Sequence, residues 1–92
     1  GRRGDFLFLK FKKNDLGAVR FAFIVSQKVA KSAVHRNKIK RRMRGAVTNI
    51  LSSVKTGFDA VIIAQQGTLE KNFKEIEKAV QIIFKKSNLL KS

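Results

Sequence analysis

The hydrophobic pattern changes period near residue 33, which restricts this chain to architectures that combine sheet and helix. Before that point the alternation is strand-like. Residues 6 to 13, Phe-Leu-Phe-Leu-Lys-Phe-Lys-Lys, are aromatic and branched, and at period two Phe6 and Phe8 face away from Leu7, Leu9 and Phe11. Both faces of this strand therefore begin apolar. Asn14, Asp15, Leu16 and Gly17 supply turn residues, and Ala18 to Ser26 then alternates Val19, Phe21, Phe23 and Val25 against Arg20, Ala22, Ile24 and Ser26. The two segments predict an antiparallel hairpin.

Beyond residue 33, Ile39, Met43, Ala46, Val47, Ile50, Leu51 and Val54 recur at helical spacing as one apolar stripe, with Asn37, Arg41, Arg44 and Thr48 opposite it. Lys40 falls at the flank of the stripe and Arg36 near its edge, where a long side chain can lean into a groove. Gly57 closes this helix, and Phe58 to Gln66, centred on Ala60-Val61-Ile62-Ile63-Ala64, predicts a short buried strand. A last helix is expected with Thr68 as its cap, Glu70 in its first turn, and Leu69, Phe73, Ile76, Val80, Ile83 and Phe84 as its buried stripe. The order β-β-α-β-α over residues 1–92 gives one α+β domain, a two-layer α/β sandwich. Its second and third strands, joined through a helix, should be parallel neighbours in a mixed sheet.

Charge narrows the function. Twenty-one Lys and Arg against six Asp and Glu leave a net charge of +15, a field that attracts polyanions. The six acids are Asp5, Asp15, Asp59, Glu70, Glu75 and Glu77, so residues 16 to 58 hold ten cations and no carboxylate. Eight of the ten, Lys28, Lys31, Arg36, Lys38, Lys40, Arg41, Arg42 and Arg44, fall within seventeen residues. An ordinary solvated helix face interleaves both signs, and this one does not, which favours nucleic acid over an anionic membrane or an acidic protein. The longest apolar runs, Phe21 to Val25 and Ala60 to Ala64, are five residues, far short of a membrane span. Neither cysteines nor an export signal after Gly1-Arg2-Arg3-Gly4 is present, so a cytoplasmic protein without disulfides is expected.

Catalytic chemistry is sparse. Phosphodiester hydrolysis needs a general base or a carboxylate-held metal pair, and the acids here are few and scattered. His35, the sole imidazole, sits beside Arg36 in a cationic helix start, where RNA contact or simple solvent exposure is expected rather than catalysis. What remains is binding chemistry: Lys28, Lys31, Arg36, Lys38, Lys40, Arg41, Arg42 and Arg44 can neutralise phosphates, and Asn37 can hydrogen-bond a base, a sugar hydroxyl or the water around a metal ion. Phe6 and Phe8 either stack unpaired bases or fill the core.

The run Ser26 to Arg44, Ser-Gln-Lys-Val-Ala-Lys-Ser-Ala-Val-His-Arg-Asn-Lys-Ile-Lys-Arg-Arg-Met-Arg, closely resembles the signature of the bacterial ribonuclease P protein family, Lys-x-Gly-x-Ala-Val-x-Arg-Asn-x-x-Lys-Arg-x-x-Arg. Lys28, Ala33, Val34, Arg36, Asn37, Lys40, Arg41 and Arg44 match it directly. The resemblance continues through Phe58 to Ala64 and Phe84-Lys85-Lys86-Ser87. Ala30 stands in place of the family's Gly, and Lys38 replaces an Arg, keeping charge but losing the bidentate fork. Gln65 occupies a usually cationic position, and Leu9 and Leu90 occupy places where relatives often carry an aromatic ring.

This resemblance implies an accessory protein to a catalytic RNA, which with its Mg²⁺ ions removes the 5′ leader of precursor tRNA, the protein alone being inactive. It further implies the sandwich seen in the second domain of ribosomal protein S5, and a left-handed crossover from the second long strand into the Arg36 helix. In the family a basic, Phe-bearing helix precedes the first strand and lies across the sheet, and the present sequence opens beyond that point. One sheet face is therefore expected to be bare, available to the leader through Phe6 and Phe8 or to self-association. The alternative is a ribosomal-type structural RNA-binding protein or RNA chaperone, from which the Arg36-Asn37 signature separates it; a self-sufficient metal-dependent nuclease conflicts with the sparse carboxylates.

Overall fold

The computed structural model describes residues 1–91. Four strands and two α-helices follow one another as β1 (Arg2–Arg3), β2 (Leu7–Lys13), β3 (Val19–Ile24), α1 (Ala33–Ile50), β4 (Phe58–Ala64) and α2 (Phe73–Lys86). Among these, β1 is an addition to the expected order, a two-residue ribbon pairing Arg2 with Leu9 and Arg3 with Phe8. No described helix is long and apolar enough to cross a membrane.

The strands run in the order β1-β2-β4-β3, so the expected hairpin does not form. β2 and β3 are joined by the turn that sequence indicates, but β4 lies between them. It is antiparallel to β2 (Leu9 opposite Ile62) and parallel to β3 (Phe23 opposite Ile62), which makes the sheet mixed. The physical reason is burial. β4 carries Phe58, Ala60, Ile62 and Ala64 on its fully buried side and Val61 and Ile63 on the other, whereas the second face of β2 changes to Lys10 and Lys12 and that of β3 carries Arg20. A strand apolar on both faces belongs in the middle of a sheet and its half-charged neighbours at the sides.

Both helices cover one face. Ile39, Met43, Ala46 and Val47 of α1 and Ile76, Val80, Ile83 and Phe84 of α2 pack with Leu7, Leu9, Phe58 and Ile62 into one cluster. Phe84 also meets Phe21 at 6.1 Å between ring centroids. The helices approach closely at Gly45, where an added Cβ would lie 3.1 Å from the Phe73 ring. α1 ends earlier than its stripe suggested: Leu51–Ser53 is a 3-10 turn that leaves Leu51 exposed, while Val54 is buried and bridges to Leu90. The C-terminal strap is fastened there by Lys55 N–H to Leu89 O and Lys91 N–H to Ser53 O.

α2 begins later than expected. Its cap is Asn72, whose side chain accepts from Glu75 N–H while the Glu75 carboxylate accepts from Asn72 N–H, a reciprocal capping box. Thr68 instead lies in a separate 3-10 turn, fully buried, its hydroxyl 2.9 Å from Phe6 O and 2.6 Å from Gln65 O. Glu70, expected in the first turn of α2, lies in the 3-10 turn with Thr68.

The second sheet face is uncovered among the described residues. Cross-strand rows place Phe8, Ile63 and Ile24 together, then Lys10, Val61 and Ala22, then Lys12, Asp59 and Arg20. At the polar end of this face Asp59 accepts from Arg20 Nε and from Asn14 Nδ2, each at 2.8 Å, and pairs with Arg20 Nη2 at 2.6 Å. The Arg20 hydrogen bond first, then that of Asn14, lowers the Asp59 carboxyl from 3.8 to about 2.

A carboxyl lowered on folding stabilises the fold above its unfolded pKa and ceases to do so as pH falls through the folded value. The stability difference between the wild-type chain and Asp59→Asn should thus be constant near neutrality and shrink from about pH 4 to about pH 2. Urea unfolding across that range checks it. In the core, Phe84→Ala should destabilise by roughly 3–5 kcal/mol, and the half-buried Phe73 and Ile50 by less, in the same measurement.

Candidate nucleic-acid interface

Ser32 starts α1, its hydroxyl accepting from Val34 N–H at 3.1 Å. No acid follows in the first turn. Cations at the positive end of a helix dipole are unfavourable for helix formation, and here they sum with it into a strongly positive end suited to phosphate. None of the candidate cations forms a salt bridge among the described residues, where Arg20–Asp59 is the ion pair present.

Packing the Ile39-Met43-Ala46-Val47 stripe against the sheet sorts the candidates by direction. Asn37, Lys40, Arg41 and Arg44 recur at three- and four-residue intervals and form one outward ridge. Asn37, Arg41 and Arg44 are exposed, and Lys40 is half-buried at the ridge's flank. Arg44 reaches over the Phe23 ring at 5.4 Å, joining this ridge to the β3 side of the sheet. Lys28 and Lys31 are exposed in the loop that leads into the helix. Lys38 is exposed on the opposite flank, and Arg42, on that flank as well, turns towards α2.

Two of the sequence candidates are partly structural. Arg36 is half-buried, and its Nη1 donates to Ala30 O at 2.9 Å and Lys31 O at 2.7 Å, tying the signature loop to the helix that follows it. Arg42 Nη1 donates to Lys71 O at 2.8 Å, linking α1 to the segment before α2. A side chain that satisfies backbone carbonyls in this way is held in place while its remaining N–H groups stay available.

The aromatic pair divides. Phe8 lies on the uncovered face, half-buried, with the Arg3 guanidinium 5.6 Å from its ring centre. Phe6 is a correction: it precedes β2 rather than belonging to it, is buried in the core, and has Lys71 Nζ over its ring at 5.3 Å. Strict alternation does not extend past the strand end, so Phe6 does not share the face of Phe8. Arg3 was not foreseen from sequence. It donates from Nη1 to Gln65 Oε1 at 2.8 Å and so brings a guanidinium to the position where the family motif has a cation. The Arg2-Arg3 pair was the available signal, but its placement depends on a strand pairing that no local pattern reveals. Arg3, Ser26, Lys28, Gln65 and Gln66 line a cavity of about 510 Å³ at the ends of β3 and β4, with Asp5 in its wall.

Residues 2–88 match the family model described as Ribonuclease P. The chain belongs to the ribonuclease P protein family. It is 37% identical over 86 residues to the ribonuclease P protein component of Syntrophomonas wolfei, covering 94% of this chain and 71% of that one. It is 34% identical to that of Fusobacterium nucleatum, covering 95% and 81%. The fold superposes on the ribonuclease P protein of Staphylococcus aureus with a TM-score of 0.85 at 24% identity, covering 95% of this chain and 79% of that chain. For the Thermotoga maritima protein the TM-score is 0.83 at 24% identity, with coverage of 91% and 79%. The likeness to ribonuclease P protein components thus extends from sequence to fold.

Because Arg42 holds a carbonyl and Arg41 does not, the two should separate in unfolding experiments. Arg42→Ala should lower stability by roughly 1–2 kcal/mol, and Arg41→Ala by no more than about 0.5 kcal/mol.

Proposed function

We propose that this chain is the accessory subunit of a cytoplasmic ribonucleoprotein in which the catalytic RNA of ribonuclease P cleaves the 5′ leader from precursor tRNA. The observation that carries the reading is the ridge Asn37, Lys40, Arg41 and Arg44, exposed or at the helix flank, without an acid in the same helix. Such a ridge docks on folded RNA through phosphates and releases counterions as it does so. The loop cations Lys28 and Lys31 and the flank cation Lys38 widen the contact, while Arg36 and Arg42 hold the helix in position as they add charge.

The uncovered sheet face, opposite the one α1 packs on, carries Phe8 and Arg3 and suits an unpaired leader, since aromatic rings stack bases and guanidinium groups meet phosphates. Association of two copies through the same face competes with this use, and the net charge of +15 opposes it until salt screens the repulsion. Mg²⁺ belongs to the RNA in this reading. Among the described residues no three His, Asp or Glu side chains converge, and this ion prefers hard oxygen ligands in octahedral array, which RNA phosphates and water provide. Asn37 acts on it at most through a bound water.

Reconstitution tests the proposal. The protein with Mg²⁺ should leave precursor tRNA intact, and adding the catalytic RNA should restore leader removal. Arg41→Ala and Asn37→Ala should raise the Mg²⁺ required, while the affinity of the protein for the RNA should fall with salt by roughly 0.7 to 0.9 log units per log unit for each phosphate contacted. Leader cleavage by repurified, RNase-treated protein would overturn the accessory role.

A further inference from the structure

Phe11 is anomalous. It shares the helix-facing side of β2 with Leu7 and Leu9, which are 1% and 0% exposed, yet it is 40% exposed itself. The cause is position: it lies towards the end of β2, where the covering helices no longer reach, and a cavity of about 340 Å³ opens there between Phe11, Lys13, Lys55, Phe58 and Asn88. A second cavity, of about 300 Å³, adjoins the same residue on the other sheet face and is lined by Lys10, Lys12, Asp59 and Val61. Phe11 thus forms a ridge between two hollows, each near the lower end of the size range for small-ligand sites.

The surroundings are cationic. Lys10, Lys12, Lys13 and Lys55 line the two hollows, and the carboxylate among their lining residues, Asp59, is already engaged by Arg20 and Asn14. β1 pairs only with Phe8 and Leu9, so the outer edge of β2 from Lys10 onward has no strand partner among the described residues. Lysines along such an edge disfavour addition of another strand, which argues against a protein partner and for a polyanion. An exposed aromatic ring flanked by lysines meets the two needs of an unpaired nucleotide, a stacking surface and a counter-charge.

We propose that Phe11, Lys13 and Lys55 form a second single-strand nucleotide subsite, with the base on the Phe11 ring and the flanking phosphates on Lys13 and Lys55. The subsite is distinct from the α1 ridge. Lys13 pairs with Phe58 at the start of β4, whereas α1 is entered from Ile24, which pairs with Ile63 near its end, five residues or about 17 Å along the strand. The inference rests on the reading of this chain as an RNA-binding subunit and adds a separate point of contact to it.

Titrating isotope-labelled chain with hexauridylate should shift the amide resonances of Phe11, Lys13, Lys55 and Asn88. Phe11→Leu, which keeps an apolar side chain but removes the stacking ring, should weaken binding by about five-fold or more without altering its salt dependence. Lys13→Gln with Lys55→Gln should instead reduce the salt slope by about 1.4, two single-strand phosphates' worth. Resonance shifts of the wild-type chain confined to α1 and its preceding loop would overturn the proposal, as would variants that bind within two-fold of wild type. So would hexaglutamate shifting the same four resonances more strongly than hexauridylate, which would assign the surface to a protein. Leader removal with the catalytic RNA, measured at saturating protein, tests the accessory role separately: its loss alongside intact hexauridylate binding at Phe11 would reject that role and leave the subsite standing.

Discussion

Burial of β4 between β2 and β3, beneath both helices, is the constraint on which the rest of the molecule depends. Phe58, Ala60, Ile62 and Ala64 supply its covered side, and Val61 and Ile63 keep its other side apolar enough to need neighbours on both edges. Because the turn after β2 reverses the chain, a strand between β2 and β3 must be parallel to one and antiparallel to the other. β4 is parallel to β3, so the chain crosses over between them through α1, whose stripe faces inward on the covered face. The cationic ridge is then directed outward by the same packing that forms the core. The buried stripe and the cationic ridge therefore occupy opposite sides of one helix.

Much of this was legible in the chain because it is local. The period of Ile39, Met43, Ala46 and Val47, the run Ala60 to Ala64 and the stripe Ile76, Val80, Ile83 and Phe84 each identify an element and the side it buries. Pairing was not legible. Asn14 to Gly17 reads as the turn of a hairpin, whereas β2 finds its partner more than forty residues later, as in Leu7 with Ala64. Turn residues report a change of direction and nothing about which strand will lie alongside.

The site was readable by residue type but not by orientation. The signature located a cationic helix, yet nothing in it indicated that Arg36 would fold back on Ala30 O and Lys31 O, or that Arg42 would reach Lys71 O. Thr68 and Asn72 are both good cap residues, and the choice between them was made by a distant carbonyl, that of Phe6, which engages the Thr68 hydroxyl. Phe6 lies one residue before the start of β2, where strand periodicity no longer says which side a ring takes.

The fastening of α1 has a thermodynamic consequence for encounters with a large, rigid polyanion. Its entry loop is tied by Arg36, its middle by Arg42, and its last turns by Asn49 Nδ2 donating to Glu77 Oε2 at 2.6 Å. Gly45 lets the helix seat against Phe73 without an intervening methyl group. The backbone thus holds the ridge preorganised, and the ordering that association with a polyanion would require is confined to the long tips of Lys40, Arg41 and Arg44. Because immobilising a flexible side chain costs roughly 0.5–1.5 kcal/mol, a prefolded scaffold leaves more of the electrostatic attraction to appear as affinity.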